Sequence, residues 1–340
     1  MASSRPRWVV PVAAAAAALL GFELLAALAT LPPALEAFAH NWLFSFLPLA
    51  GAAMCVARSL REPAERLPWA ALAVTMVGWS AADAYYVWGI LRDTAPPFPS
   101  WTDAGWIPFY PACLVAVVAL LRRESQRPTA AVALDAVVAA LASGALLIAL
   151  VGPSLAGSIT GSTVADAVTL AYPAFDVLLI ALVMAAFVVT GWHPGLRWTL
   201  LAVALALRVT EDTGWLEMVT HGGYEHGTVM DVMCPASMLL IGVAAWTPAR
   251  QPRAVATNGL HVLVVPAVAT LISLGLLVAD QPLRLPLSAT LLAVCAILAV
   301  VARMAVTYGE LRGLAGSREE ALTDDLTGLP NRRRLMRDLE

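Results

Sequence analysis

Four ionisable side chains stand in stretches that are otherwise apolar. Asp83 lies in GWSAADAYYVWG, among Trp79, Tyr85, Tyr86 and Trp88, and Arg208, Glu211 and Asp212 lie in ALRVTEDTGW. A charged group at the centre of a bilayer costs about 3 kcal/mol on insertion scales and is a functional hypothesis by default. Arg208 and Asp212 are four residues apart, so on a helix they share a face and can pair. Three uses of such a set stay open. Arg208 can be neutralised locally while Asp83 bonds a neighbouring helix. The four can line a polar cavity that binds a small ligand near the outer half of a helical bundle. They can also form a path for a proton or ion. Glu23 lies within the first apolar stretch, and Asp135 and Asp176 are expected near the ends of theirs.

A second polar group is EMVTHGGYEHGTVMD, with Glu217, His221, Glu225, His226 and Asp231. The five-residue spacing of its histidines matches no strong zinc pattern, so a solvated polar loop is the expectation. The four cysteines, Cys55, Cys113, Cys234 and Cys295, sit in apolar runs without a C-x-x-C pair. They read as small buried hydrophobes, with no disulfide or metal framework.

The elements that must hold these groups follow from composition. The chain is 60% hydrophobic and 13% charged, with a mean hydropathy of +0.76. Soluble domains average about 45–50% apolar and about 25% charged residues, which places this chain in the membrane class. Its net charge of −3 gives no sign of a nucleic-acid partner. About 20 apolar residues cross the hydrocarbon core as a helix. Ten such stretches are legible, at 8–30, 42–58, 68–91, 106–121, 130–152, 164–190, 196–219, 229–247, 260–279 and 285–306. The fold class expected is an all-α polytopic membrane protein of about ten transmembrane helices in repeated hairpins. The first stretch is too long for a cleaved signal peptide and lacks a clean cleavage site.

Arginine sets the orientation, because loops rich in basic residues stay in the cytoplasm. The N-terminal segment and the even-numbered connections hold Arg5, Arg7, Arg58, Arg61, Arg66, Arg122, Arg123, Arg127, Arg197, Arg250 and Arg253, against Arg92 and Arg284 on the other side. Both termini are therefore expected in the cytoplasm of a bacterial cell. The absence of Lys and the abundance of Ala suggest a genome rich in G and C. Pro48, Pro111, Pro173 and Pro235 recur at near-equal spacing, each near the start of an even-numbered span; proline is tolerated in a first helical turn, where a missing N–H is harmless. PSWTDAGWIPFYP (99–111) also aligns with GSTVADAVTLAYP (161–173), sharing a Ser and a Tyr-Pro, with an Asp in each displaced by one position. The repeating unit reads as a helical hairpin.

The polar C-terminal stretch carries a different signal. After VVARMAVTYGELRGLAG, residues Leu311, Ala315, Arg318 and Leu322 fall on a seam usable in a short parallel coiled coil, weakened by Gly313 and Gly316. Turn residues follow, and Pro330 can open a second helix. The segment LTDDLTGLPNRRRL closely resembles the opening of GGDEF domains, the diguanylate cyclases, whose entrance reads A-x-x-D-x-L-T-G-L-x-N-R-R. Ala321, Asp324, Leu326, Thr327, Gly328, Leu329, Asn331, Arg332 and Arg333 match it. More loosely, the upstream hairpins resemble polytopic membrane modules that precede GGDEF, and often EAL, domains in actinobacteria.

The resemblance implies 1–306 as a transmembrane sensor or anchor, 307–322 as a cytoplasmic signalling helix and 323–340 as the start of an α/β GGDEF domain. The intact parent would condense two GTP to cyclic di-GMP as a homodimer, with Mg²⁺ and GTP as its cofactor and substrate. The catalytic residues are expected beyond Glu340, so none is assigned and no cofactor is expected here. The lipid bilayer and an unknown small molecule are the other expected partners. The alternative is a membrane transporter or small-molecule binding protein with a vestigial tail.

Overall fold

The computed structural model describes residues 6–92, 94, 99–124, 130–159, 161–190, 193–221, 223, 226–248 and 261–320. Among these, every regular element is helical: α1 (Val9–Leu28), α2 (Pro33–Arg61), α3 (Arg66–Ile90), α4 (Trp101–Arg123), α5 (Ala130–Ser158), α6 (Thr163–Val189), α7 (Gly195–Thr220), α8 (Val229–Ala244), α9 (His261–Leu283) and α10 (Leu287–Glu320). In lipid a helix satisfies its own backbone, which is why an apolar chain of this kind resolves into helices.

Among the described residues, seven helices are long and apolar enough to span a membrane: α1, α2, α4, α5, α6, α9 and α10. The chain is a multi-pass membrane protein. Helices also occupy the other three stretches expected to span, α3, α7 and α8. The charges of α7 lower its hydropathy, and α8 has only 16 residues. Both contribute several buried residues to the main core, so part of their surface faces protein instead of lipid.

Two kinds of packing hold the bundle. Helices α2, α3, α4, α7 and α8 share a core of large side chains, including Trp69, Met76, Trp79, Phe109, Tyr110, Trp198 and Met238. At its centre α2 and α8 cross closely. A Cβ on Gly51 would stand 2.3 Å from the Met238 carbonyl oxygen, so only glycine fits. By contrast α5, α9 and α10 meet along alanines, among them Ala139, Ala142, Ala145, Ala269, Ala293 and Ala296. Small residues let helix backbones approach where lipid offers no hydrophobic drive to associate. Arg303 of α10 fixes this seam with a bidentate bond to Asp135 of α5, at 2.8 and 3.1 Å. Leucines and valines such as Leu150, Leu271, Val278 and Leu298 are left exposed, as lipid contact requires.

Several expectations need correction. Pro48 opens an α-helical segment, Pro111 stands in the first turn after Phe109 and Pro235 lies in the N-terminal half of α8, but Pro173 lies well inside α6. Membrane helices tolerate such prolines because neighbouring groups re-satisfy the freed carbonyl. Asp176 is in the middle of α6, not near its end. Asp231 lies in the first turn of α8, not in a loop. Helix α2 is longer than the stretch 42–58, since it passes through a π turn at Phe38–Leu43. Three cysteines are buried, but Cys295 is exposed on α10. That helix continues without a break to Glu320. The GGDEF-like residues Ala321, Asp324, Leu326, Thr327, Gly328, Leu329, Asn331, Arg332 and Arg333 lie outside the described residues.

Candidate functional site

Asp83, Arg208, Glu211 and Asp212 all line one cavity of about 580 Å³. It is built where the C-terminal halves of α3 and α7 meet the N-terminal parts of α4, α6 and α8. Local sequence prepares the last three. Ser100 caps the short first segment of α4, and Asp103 returns the bond by accepting from the Ser100 N–H at 2.8 Å. Thr228 and Asp231 form the same capping box at the start of α8, where Asp231 accepts from the N–H groups of Gly227 and Thr228 at 2.7 and 2.9 Å. Each box satisfies N–H groups that the helix cannot, and places a carboxylate on the positive end of a helix dipole. At the start of α6, Asp166 accepts from the Gly161 N–H at 3.0 Å.

Arg208 organises the floor. Its Nη2 stands 2.6 Å from Asp212 Oδ1 and 2.5 Å from Glu211 Oε2, and its Nε donates to Asp212 Oδ2 at 3.2 Å. The guanidinium lies over the Trp79 ring, 4.6 Å from its centroid. The Tyr110 hydroxyl donates to Asp212 Oδ2 at 2.5 Å, and Tyr110 stacks on Phe175. Asp176 stands beside Asp212 from the facing helix α6.

The wall is set by two long-range bonds. Trp106 Nε1 donates to Asp83 Oδ1 at 2.8 Å, and the Tyr172 hydroxyl donates to Asp103 Oδ1 at 2.7 Å. The first depends on a close approach of α3 and α4, since a Cβ on Gly105 would meet Ala82 Cβ at 2.6 Å and the Gly78 carbonyl oxygen at 2.7 Å. The aligned Tyr-Pro pairs thus act alike. Tyr110 and Tyr172 each orient an aspartate on another part of the bundle. Tyr86, Trp215, Leu216 and Val219 complete an aromatic and apolar lining.

Polar atoms in this lining are left without protein partners. They include Asp83 Oδ2, Asp176 Oδ1 and Arg208 Nη1, all fully buried. Buried polar groups are nearly always paired, so several orphans on residues that line one cavity mark a place where water, or a ligand after a local shift, can complete the bonding. Sequence reasoning found the four charged residues but missed Asp103, Trp106, Tyr110, Tyr172 and the role of Asp176. The capping pattern Ser-x-x-Asp was present as a signal for Asp103.

The histidines of the second polar group do not line the cavity, although Val219, Thr220 and Asp231 of the same segment do. His221 is exposed and pairs with Glu217 at 3.4 Å. His226 contacts the His40 carbonyl oxygen through Nε2 at 2.9 Å, and burial lowers its imidazole below the ordinary range despite Asp231 nearby. Glu225 lies outside the described residues. Among the described residues no group of three His, Cys, Asp or Glu side chains is placed to hold a metal ion. Glu23 is buried on α1 and does not line the cavity.

The opposite end of α7 carries a contrasting cluster. Arg197 donates through Nε and Nη2 to the Thr247 carbonyl oxygen at 3.2 and 2.9 Å, and through Nη1 to Glu65 Oε1 at 3.0 Å. Glu65 Oε2 accepts from Arg58 Nη2 at 2.8 Å and Trp69 Nε1 at 3.0 Å. Burial alone would raise the Glu65 carboxyl, but the Arg197 charge and these bonds more than offset it and hold it below the usual range.

Set against family models, curated proteins and solved structures, the chain matches none.

Proposed function

We propose that the chain is the membrane-embedded sensory module of a cyclic di-GMP signalling protein. It receives a small molecule in the Arg208 cavity and passes the signal along α10. The observation that carries the sensory part is the cavity itself, whose lining residues include buried polar groups with unpartnered atoms. The signalling part rests on the GGDEF-like sequence at 321–333. The unbroken course of α10 to Glu320 supports a mechanical link, because a helix carries rotation and register where a loose tether does not. The module sits in the bacterial plasma membrane with ten spans and both termini cytoplasmic, a reading supported by the arginine asymmetry. On that orientation the cavity lies in the outer half, the Arg197 cluster lies inside, and α10 emerges toward nucleotides. In the intact parent Mg²⁺ and GTP would be bound by a dimeric domain beyond Glu340.

A second reading is a transporter. It is favoured by irregular helices beside the cavity: the π turn of α2, the break in α4 before Phe109 and the internal proline of α6. Transporters use such discontinuities at their binding sites. The in-frame coding sequence past Glu340 separates the two. The signalling reading requires a GGDEF loop there, and expression of the complete protein should raise cellular cyclic di-GMP. A coding sequence without that loop would overturn the cyclase assignment.

A further inference from the structure

We infer that the ligand of the Arg208 cavity is an organic cation, an ammonium group carried on an apolar or aromatic body. This rests on the reading of the cavity as a ligand site and names the class of molecule it takes. The cavity lining contains six carboxyl side chains, Asp83, Asp103, Asp176, Glu211, Asp212 and Asp231, against one guanidinium. Each has a distinct state of engagement. Glu211 and Asp212 both pair with Arg208, so the one cation already faces two acids. Asp103 and Asp231 serve as helix caps. Asp83 and Asp176 remain, 1% and 2% exposed, and each keeps one oxygen with no hydrogen-bond partner.

An anionic ligand would meet Arg208 already bracketed by two carboxyls. A cation instead supplies what the lining lacks, since a buried carboxylate is tolerated when paired. The aromatic side chains point the same way. Tyr86, Trp106, Tyr172 and Trp215 line the cavity, and a cation over an aromatic face is attracted most strongly where water is excluded. Arg208 over Trp79 already uses this contact at 4.6 Å. The volume of about 580 Å³ exceeds the need of a bare ion and falls within the range of small organic ligands. With no three-ligand metal group among the described residues, an organic cation fits the lining better than a divalent metal.

The test uses the full chain in lipid nanodiscs and three matched series of probes. These are alkyl and phenylalkyl ammonium ions of increasing size, the corresponding neutral alcohols and the corresponding carboxylates. Calorimetry and thermal shift should show binding by members of the ammonium series and little by the other two. Asp83→Asn and Asp176→Asn should each weaken ammonium binding about ten- to hundredfold, the loss of a charge-assisted hydrogen bond. Both variants preserve shape, and their unliganded melting curves check folding. Equal or tighter binding by the alcohols or carboxylates would overturn the cation assignment and leave the cavity a ligand site. Failure of all three series to bind would overturn the ligand-site reading as well.

Discussion

Arg197 and Arg208 stand on the same helix, α7, eleven residues apart. At 3.6 residues per turn they fall on one face, about 16 Å apart along the axis. Both are buried and both meet acids, yet their surroundings differ. Arg197 spends its donors on Glu65 and the Thr247 carbonyl, and both oxygens of Glu65 are bonded. Arg208 leaves Nη1 unpartnered, and its neighbours Asp83 and Asp176 leave an oxygen each. A satisfied buried network fixes a structure, whereas a partly satisfied one is a liability in the absence of something to complete it. The same helix thus supplies a satisfied cluster at one end and an incompletely satisfied one at the other, which on the proposed reading is the receptive site.

This contrast can be broken at the closed end first. Arg197→Leu should cost about 3–5 kcal/mol, because it strips a buried carboxylate of its main partner. A large fall in melting temperature in detergent would register it. A fall within error would mean that Arg58 and Trp69 suffice to hold Glu65. Gly105→Val comes next, at about 1–3 kcal/mol, the usual cost of forcing atoms into a packed contact. It should also displace Trp106 from Asp83, so a change in tryptophan fluorescence should accompany the loss of stability. Unchanged fluorescence would show that the α3–α4 contact does not position the site.

The pH dependence of the closed end sharpens the comparison. Glu65 has a folded-state pKa below its ordinary value of 4.5, so its ionised form stabilises the fold. That contribution is fully present above about pH 4.5 and is lost as pH falls through the lower folded value. The stability advantage of the natural protein over Glu65→Gln should therefore be constant near neutrality and shrink below that pH. A constant advantage down to acid conditions would contradict the ion-pair account. Tyr110→Phe should have the smallest effect, about 1 kcal/mol for one hydrogen bond. Denaturant titration at neutral pH would measure it, and a loss several times larger would show that Asp212 depends on this hydroxyl.

Much of the fold was legible because apolar helices announce themselves by length and composition: a helix occupies each of the ten stretches, seven of them long and apolar enough to span, although α2 begins well before its stretch and α10 runs well past its own. The misplaced features have local causes. Pro173 reads as a helix start in isolation, but the helix continues through it because the bundle around α6 tolerates the break. His40 and Asn41 lower the hydropathy at the start of α2, and the helix absorbs them in a π turn. The site was legible only in its charges. Asp83 and the Arg208 group stood out because ionisable residues are rare in lipid. Their partners did not, since Tyr172 reaches Asp103 across 69 residues and Tyr110 reaches Asp212 across 102. No local pattern encodes such pairings. The aligned Tyr-Pro dipeptides marked the residues without giving their role.

The central claim is that the Arg208 end is built to receive a ligand and the Arg197 end to hold the bundle together. Sites that await a ligand are typically not optimised for stability in its absence. The most direct test compares Asp176→Asn with Glu65→Gln, each a near-isosteric loss of one carboxylate, by melting temperature in ligand-free nanodiscs at neutral pH. The account predicts that Asp176→Asn leaves the melting temperature unchanged or raises it, while Glu65→Gln lowers it by several degrees. A comparable fall in both variants would contradict it, and would make the Arg208 cluster a second structural tie.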